Sequence, residues 1–192
     1  MKYIISSKNL GLRKVGPSDV KVLYKWLNDP RVTYHMFYGR LPKTSEQIKE
    51  MFHSYEKEGN NEVFIIVKKE ENIAIGFGGI FEIDKRSKTG EIRILIGENK
   101  FWNYGFGMEV CAILTYYGFR ELDLNMVYLG TSRSDNKGAI RFFQFLGFKL
   151  QGIKRQVLYR NGRYYDGTMM DFLKKEFTPS ILKHYEKTYQ IK

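Results

Sequence analysis

The chain has 192 residues, 43% hydrophobic and 28% charged, enough apolar material for a buried core, which excludes a disordered tail. Lys and Arg number 32 against 21 Asp and Glu, and the resulting charge of +11 favours anionic ligands (phosphates, nucleotides, nucleic acid, an acidic surface) over a polycationic substrate. The single cysteine, Cys111, excludes a disulfide framework and any two-cysteine metal knuckle, and one unpaired thiol fits a reducing compartment.

The start, Met1 to Lys8, is too short in its apolar part for a signal peptide, and no apolar run approaches the roughly 20 residues of a membrane span. No repeat or Pro/Gly/Ser linker divides the chain, so one domain over 1–192 is expected. Leu10 to Val15 alternates as a short strand. Pro17-Ser18-Asp19 opens a helix with Val20, Val22, Leu23 and Trp26 as its apolar stripe, ended by Asn28-Asp29-Pro30. A mixed aromatic and basic segment, 31–43, follows. Thr44-Ser45-Glu46-Gln47 is a capping signal for a second helix carrying Ile48, Met51, Phe52 and Tyr55.

The period then changes. Glu62–Lys69, Ile73–Ile83 and Glu91–Ile96 read as three strands joined by short turns, an antiparallel meander. Met108–Phe119 is helical, Val127–Thr131 a strand, and Asn136–Leu146 a helix stopped by Gly147. Phe148–Tyr159 and Tyr164–Leu173 form a hairpin turning at Asn161-Gly162, and a charged helix starts near Pro179. This β-α-α-β-β-β-α-β-α-β-β-α order predicts an α/β (mixed α+β) fold, with a central mixed, mostly antiparallel sheet flanked by helices.

The most informative stretch runs from Gly90 through Trp102-Asn103-Tyr104-Gly105-Phe106-Gly107-Met108-Glu109. A strand leads by a short loop into a helix with glycines in its first turn. The N–H groups of such a turn lack intrahelical partners and carry the positive end of the helix dipole, so a pyrophosphate can sit there. Glycines at a helix start are also common structural caps. The spacing Trp102-x-x-Gly105-x-Gly107 resembles the acyl-CoA pyrophosphate loop of the GNAT superfamily of N-acetyltransferases, and tryptophan at its head is typical of the RimJ/RimL-like branch. Asn136 to Phe148 is similar to that superfamily's second conserved block. Gln151 to Arg155 with Asn161 to Asp166 is similar to the close of RimL-like and spermidine acetyltransferases, and Trp26-x-Asn28-Asp29-Pro30-x-Val32 fits the same group.

The resemblance implies transfer of acetyl from acetyl-CoA to a primary amine by direct attack in a ternary complex. It offers Glu91, eleven residues before Trp102, as the catalytic base. Partial shielding on the central strand would strengthen that base. Glu91 reads equally as a strand-edge carboxylate pairing with Lys88 or Arg93. The superfamily's frequent tyrosine acid is replaced here by Phe143, which has no proton to give. For acetyl-CoA the resemblance implies backbone contacts from Trp102, Asn103, Tyr104, Gly105, Phe106, Gly107 and Met108. It also implies strand pairing of Ile94 and Ile96 with the pantetheine amides, a side-chain bond from Asn136, and phosphate contacts from Lys137 and Arg141. Asn136 also reads as a helix N-cap. Cys111 and the stripe Tyr116, Tyr117, Phe119 read as core, and His35, His53 and His184 are too scattered for a metal, so none is expected.

For the acceptor, Tyr34, His35, Tyr38 and Arg40 form an aromatic and basic set suited to a nucleotide-linked amino sugar, and Trp26 to Met36 looks similar to amino-sugar acetyltransferases of surface-glycan pathways. The same segment also reads as a loop docked on the core. A protein N-terminal amine, as in the ribosomal-protein type, suits the RimJ/RimL resemblance. A polyamine suits the tail, although residues 31–43 hold no carboxylate to meet one. Two other classes stay open: an acyl-CoA binder without catalysis and a nucleic-acid-binding module. No RNP, KH or zinc signature supports the latter, so no nucleic-acid or membrane partner is expected. The expected setting is a cytoplasmic monomer or homodimer.

Overall fold

A computed structural model describes residues 2–34, 36 and 41–191. Its strands are β1 (Ile5–Ser6), β2 (Leu10–Lys14), β3 (Glu62–Lys68), β4 (Ile73–Asp84), β5 (Thr89–Ile96), β6 (Met126–Arg133), β7 (Lys149–Arg160) and β8 (Arg163–Leu173). Its helices are α1 (Val20–Leu27), α2 (Ser45–Glu58), α3 (Phe106–Arg120), α4 (Lys137–Leu146) and α5 (Pro179–Tyr189). The strands form one eight-stranded sheet in the order β1-β2-β3-β4-β5-β6-β8-β7. Every neighbouring pair is antiparallel except β5–β6. The mixed, mostly antiparallel sheet expected from the pattern is present. The two-residue β1 was not foreseen, and α3 starts two residues earlier than the apolar pattern suggested.

Local chemistry explains the boundaries. Thr44 and Gln47 close a reciprocal capping box at the start of α2: Gln47 N–H donates to Thr44 Oγ1 (3.2 Å) and Thr44 N–H to Gln47 Oε1 (2.9 Å). Val63 to Val67 are all buried because β3 is covered on both faces. Phe64 and Ile66 join the core formed with α3, α4 and α5, whereas Val63, Ile65 and Val67 join the one formed with α1 and α2.

Helix α3 is the centre of the larger core, with ten of its fifteen residues buried, Cys111 among them. One buried member is a carboxylate. Glu109, in the first turn, accepts hydrogen bonds from the Ser7 hydroxyl, the Asn9 side-chain amide (3.0 Å) and the Asn9 backbone N–H (3.3 Å). The front of α3 is thereby fastened to the β1–β2 turn, and its negative charge stands near the positive helix end. The far end of β5 is clamped from the opposite side: Glu98 accepts from Trp26 Nε1 (2.8 Å) and pairs with Lys25 (2.7 Å). Among the described residues, no helix is long and apolar enough to cross a membrane.

Burial pushes the Cys111 thiol far above its ordinary range, against a weaker opposing hydrogen bond with Thr115. Since the thiolate is the reacting species, Cys111 is expected to resist an aromatic disulfide reagent in the native state and to react stoichiometrically in denaturant. Rapid native labelling, followed by colorimetry, would contradict this burial.

Candidate active site

Strands β5 and β6 pair in parallel at only three positions, Thr89–Met126, Gly90–Val127 and Glu91–Tyr128. Beyond Glu91 they separate. β5 continues along β4 through Ile96–Gly76, and β6 continues along β8 to Arg133–Gly167. The result is a fork in the middle of the sheet with its vertex at Glu91 and Tyr128. Gly97 N–H donates to Ile75 O (2.8 Å), so by antiparallel alternation the odd residues of β5 bond to β4. The backbone groups of Ile94 and Ile96 therefore face the open side of the fork. One of them has a side-chain partner: Trp102 Nε1 donates to the Ile96 carbonyl (2.8 Å), so Trp102 ties the loop to the strand end, and the second lone pair of that oxygen stays available to an amide partner.

The loop then reaches α3. Gly105 is its N-cap, in the left-handed region at φ 81, with no side-chain cap. The first bond into the helix is Glu109 N–H to Gly105 O (3.1 Å), which leaves the N–H groups of Phe106, Gly107 and Met108 without helical acceptors. A Cβ added at Gly105 or at Gly107 would meet nothing within 4 Å. An uncapped positive helix end beside open space is the arrangement an anionic diphosphate requires. Phe106 is buried and contributes its backbone alone, while Tyr104 is exposed and stacked on it at 6.2 Å. Asn103 and Gly105 are exposed and Met108 is half-buried. On the far side of the fork, Asn136 caps α4 by accepting from Ala139 N–H (3.3 Å), and Lys137 and Arg141 are exposed on the same helix.

At the vertex, Glu91 lies on the α1–α2 face of the sheet and its side chain is 12% exposed. Arg93 bridges Glu91 and Glu82, and its guanidinium lies 4.9 Å from the centre of the Phe81 ring. Lys88, the other partner considered for Glu91, pairs with Asp123. Tyr128 stands beside Glu91 across the strands. Burial, together with the charges of Glu91 and Glu82, pushes its phenol above the ordinary tyrosine value, and Arg93 opposes the shift. Phe143 packs among Phe142 and Phe148 in the α3-side core.

The outer rim was only partly foreseen. Tyr34 is 39% exposed, with Arg133 Cζ at 4.9 Å and Arg160 Cζ at 5.6 Å from its ring centre. Arg133 also lies 3.8 Å from the Tyr165 ring centre and pairs with Asp135. Arg160 donates to the carbonyls of Thr33 (2.7 Å) and Met36 (3.0 Å), so the hairpin is fastened to the α1–α2 connection. A cleft of about 350 Å³ opens between that connection, at Asn28 and Thr33, and the hairpin tip, at Tyr159 and Asn161. Arg133, Arg160 and Tyr128 were not singled out in the sequence, whereas Arg93 was named there as a partner for Glu91 and is one. Basic residues spread over the chain carry no positional signal until the fold gathers them. His35, Tyr38 and Arg40 lie outside the described residues. Among those described, no group of three or more His, Cys, Asp or Glu is placed to hold a metal.

Residues 9–149 match the family model described as an acetyltransferase (GNAT) domain. The chain belongs to the GNAT acetyltransferase family. It is 31% identical over 173 residues, 89% of this chain and 96% of the relative, to the uncharacterised N-acetyltransferase p20 of Bacillus licheniformis. It is 22% identical over 171 residues to the spermidine N(1)-acetyltransferase of Vibrio cholerae, 89% of this chain and 96% of the relative. The crystal structure of that organism's spermidine N-acetyltransferase in complex with CoA and spermine superimposes with a TM-score of 0.81 at 21% identity, covering 88% of this chain and 98% of the other. This GNAT protein is an acetyl-CoA-dependent N-acetyltransferase, with acetyl-CoA as the donor. The fork and the uncapped start of α3 fit that donor: its diphosphate matches the free N–H groups, and its amide-bearing arm matches the open edge of β5.

Proposed function

We propose that this enzyme acetylates a primary amine of a small acceptor, with Glu91 as the base. The observation that carries the reading is the fork itself. An anion-binding helix start lies at its open end and a shielded carboxylate at its vertex, joined by an unpaired strand edge. Acetyl-CoA supplies an acyl group activated as a thioester. The N–H groups of Phe106, Gly107 and Met108 hold the diphosphate, and the free edge of β5 at Ile94 orients the arm. Trp102 fixes the loop between them. Glu91 takes the proton that the amine must lose to attack, and Arg93 keeps that carboxylate in place; as the amide C–N bond forms the thioester C–S bond breaks, and CoA leaves as a thiolate that takes its proton from solvent. Holding the two reactants at one vertex supplies much of the rate.

For the acceptor, a nucleotide-linked amino sugar remains the reading we favour. Tyr34, partly exposed and with the guanidinium groups of Arg133 and Arg160 close to its ring, suits an aromatic, anionic ligand. A polyamine is the second reading, favoured by the activity named for the Vibrio cholerae relative. Against it, the segment 29–43 contains one carboxylate, Asp29, and Arg31 occupies it through Nε (3.1 Å) and Nη2 (2.7 Å). A protein N-terminal amine, the RimJ/RimL-type acceptor, is a third outcome of the same test. A cytoplasmic setting, where acetyl-CoA is made and used, fits all three.

Titration calorimetry with acetyl-CoA, followed by release of free CoA in the presence of amino-sugar nucleotides, peptides and polyamines, tests the reading. Micromolar binding is expected, with release fastest for an amino-sugar nucleotide. Binding without release for any amine would identify a silent acyl-CoA binder. Fastest release with spermidine would replace the acceptor assignment.

A further inference from the structure

We propose that Gly130 is a positioning residue for Glu91: its missing side chain forms the slot that holds the base across the fork. The proposal rests on Glu91 acting as the base. Gly130 lies on β6 two residues beyond Tyr128, the last residue paired to β5, where the register of β6 against β8 shifts between Leu129 and Ser132. Its neighbours Val127 and Leu129 point into the α3-side core, so alternation turns Tyr128 and the Gly130 position towards the face that carries Glu91.

Glycine weakens a strand unless something needs the room, and such a residue often marks a close approach. A Cβ built at Gly130 would collide with Glu91 Oε1, lie 2.8 Å from Cδ and 3.4 Å from Oε2; these three carboxyl atoms are its nearest neighbours. Gly130 does not adopt a positive φ, so its backbone makes no demand for glycine. What it accommodates is the carboxylate. Arg93 holds Oε2 from β5, and the bare backbone of β6 lets Oε1 approach from the other side. The carboxylate is thereby confined between the two strands at the vertex, where the acceptor amine meets the thioester.

The test is a cycle of Gly130→Ala, Glu91→Ala and the double variant. Each is assayed for kcat, for KM of acetyl-CoA and for melting temperature. The methyl group meets the end of a flexible side chain, so Gly130→Ala is expected to fold and to bind acetyl-CoA with unchanged KM. Its kcat is expected to fall by about 10- to 100-fold, the scale of an ångström's misplacement of a reacting group. In the Glu91→Ala background the same methyl meets no carboxylate and is expected to cost nothing further. An equal loss in both backgrounds overturns the proposal, as does an undiminished kcat for Gly130→Ala or a failure of that variant to fold. If Glu91→Ala alone keeps full kcat, Glu91 is not the base and the slot loses its meaning with it. If Glu91→Ala is impaired and Gly130→Ala is not, the base stands and only the slot falls.

Discussion

Replacing Glu91 by glutamine is expected to lower kcat by about 10²- to 10⁴-fold, the usual contribution of a positioned base, while leaving acetyl-CoA affinity near the parent value. The substitution keeps the shape of the side chain and removes only its capacity to take a proton. Arg93 does not lose all support, since it retains Glu82 and the Phe81 ring, so the fold is expected to survive. Release of free CoA at saturating donor and acceptor measures it: an unchanged kcat would remove Glu91 from the role and leave proton removal to ordered water.

The second large effect is expected at the donor end. Gly105→Val places a β-branched residue at φ 81 and fills the open space in front of α3. The left-handed backbone alone costs on the order of 1–3 kcal/mol. That strain has an internal control. Gly59, the residue that ends α2, has φ 66 and likewise nothing within 4 Å of an added Cβ, but it lies far from the fork in sequence and belongs to the opposite layer. Both valine variants are expected to melt at lower temperature. Only Gly105→Val is expected to raise the KM for acetyl-CoA, by about 10- to 100-fold, because only there does a side chain stand where a diphosphate meets free N–H groups. If both variants keep the parental KM, the donor binds elsewhere.

Much of the frame was legible because it rests on local chemistry. The Thr44–Gln47 box, the left-handed stop at Gly147 and the turn at Asn161-Gly162 each use residues suited to one backbone geometry. The buried run at Val63 to Val67 announced a strand covered on both faces. The loop from Trp102 to Met108 was legible by resemblance, although the role of Trp102 as a tie to the Ile96 carbonyl was not. What the sequence does not carry is pairing between distant segments. Nothing local says that β8 lies between β6 and β7, or that β5 and β6 part after three residue pairs. Tyr34 meets Arg133 and Arg160 across about a hundred residues of chain, and Gly130 looks like any strand glycine until Glu91 is seen beside it. Chemistry that depends on such meetings is visible only once the sheet is assembled.

The strap from Glu109 to Ser7 and Asn9 has a consequence for motion. Amide protons in the opening turn of a helix ordinarily exchange quickly, because fraying there disturbs little else. Here the turn is moored to a buried carboxylate and continues into the most enclosed helix of the molecule. Opening it means breaking into the interior. The turn that we propose as the donor cradle is expected to stay folded on heating for as long as α3 stays packed.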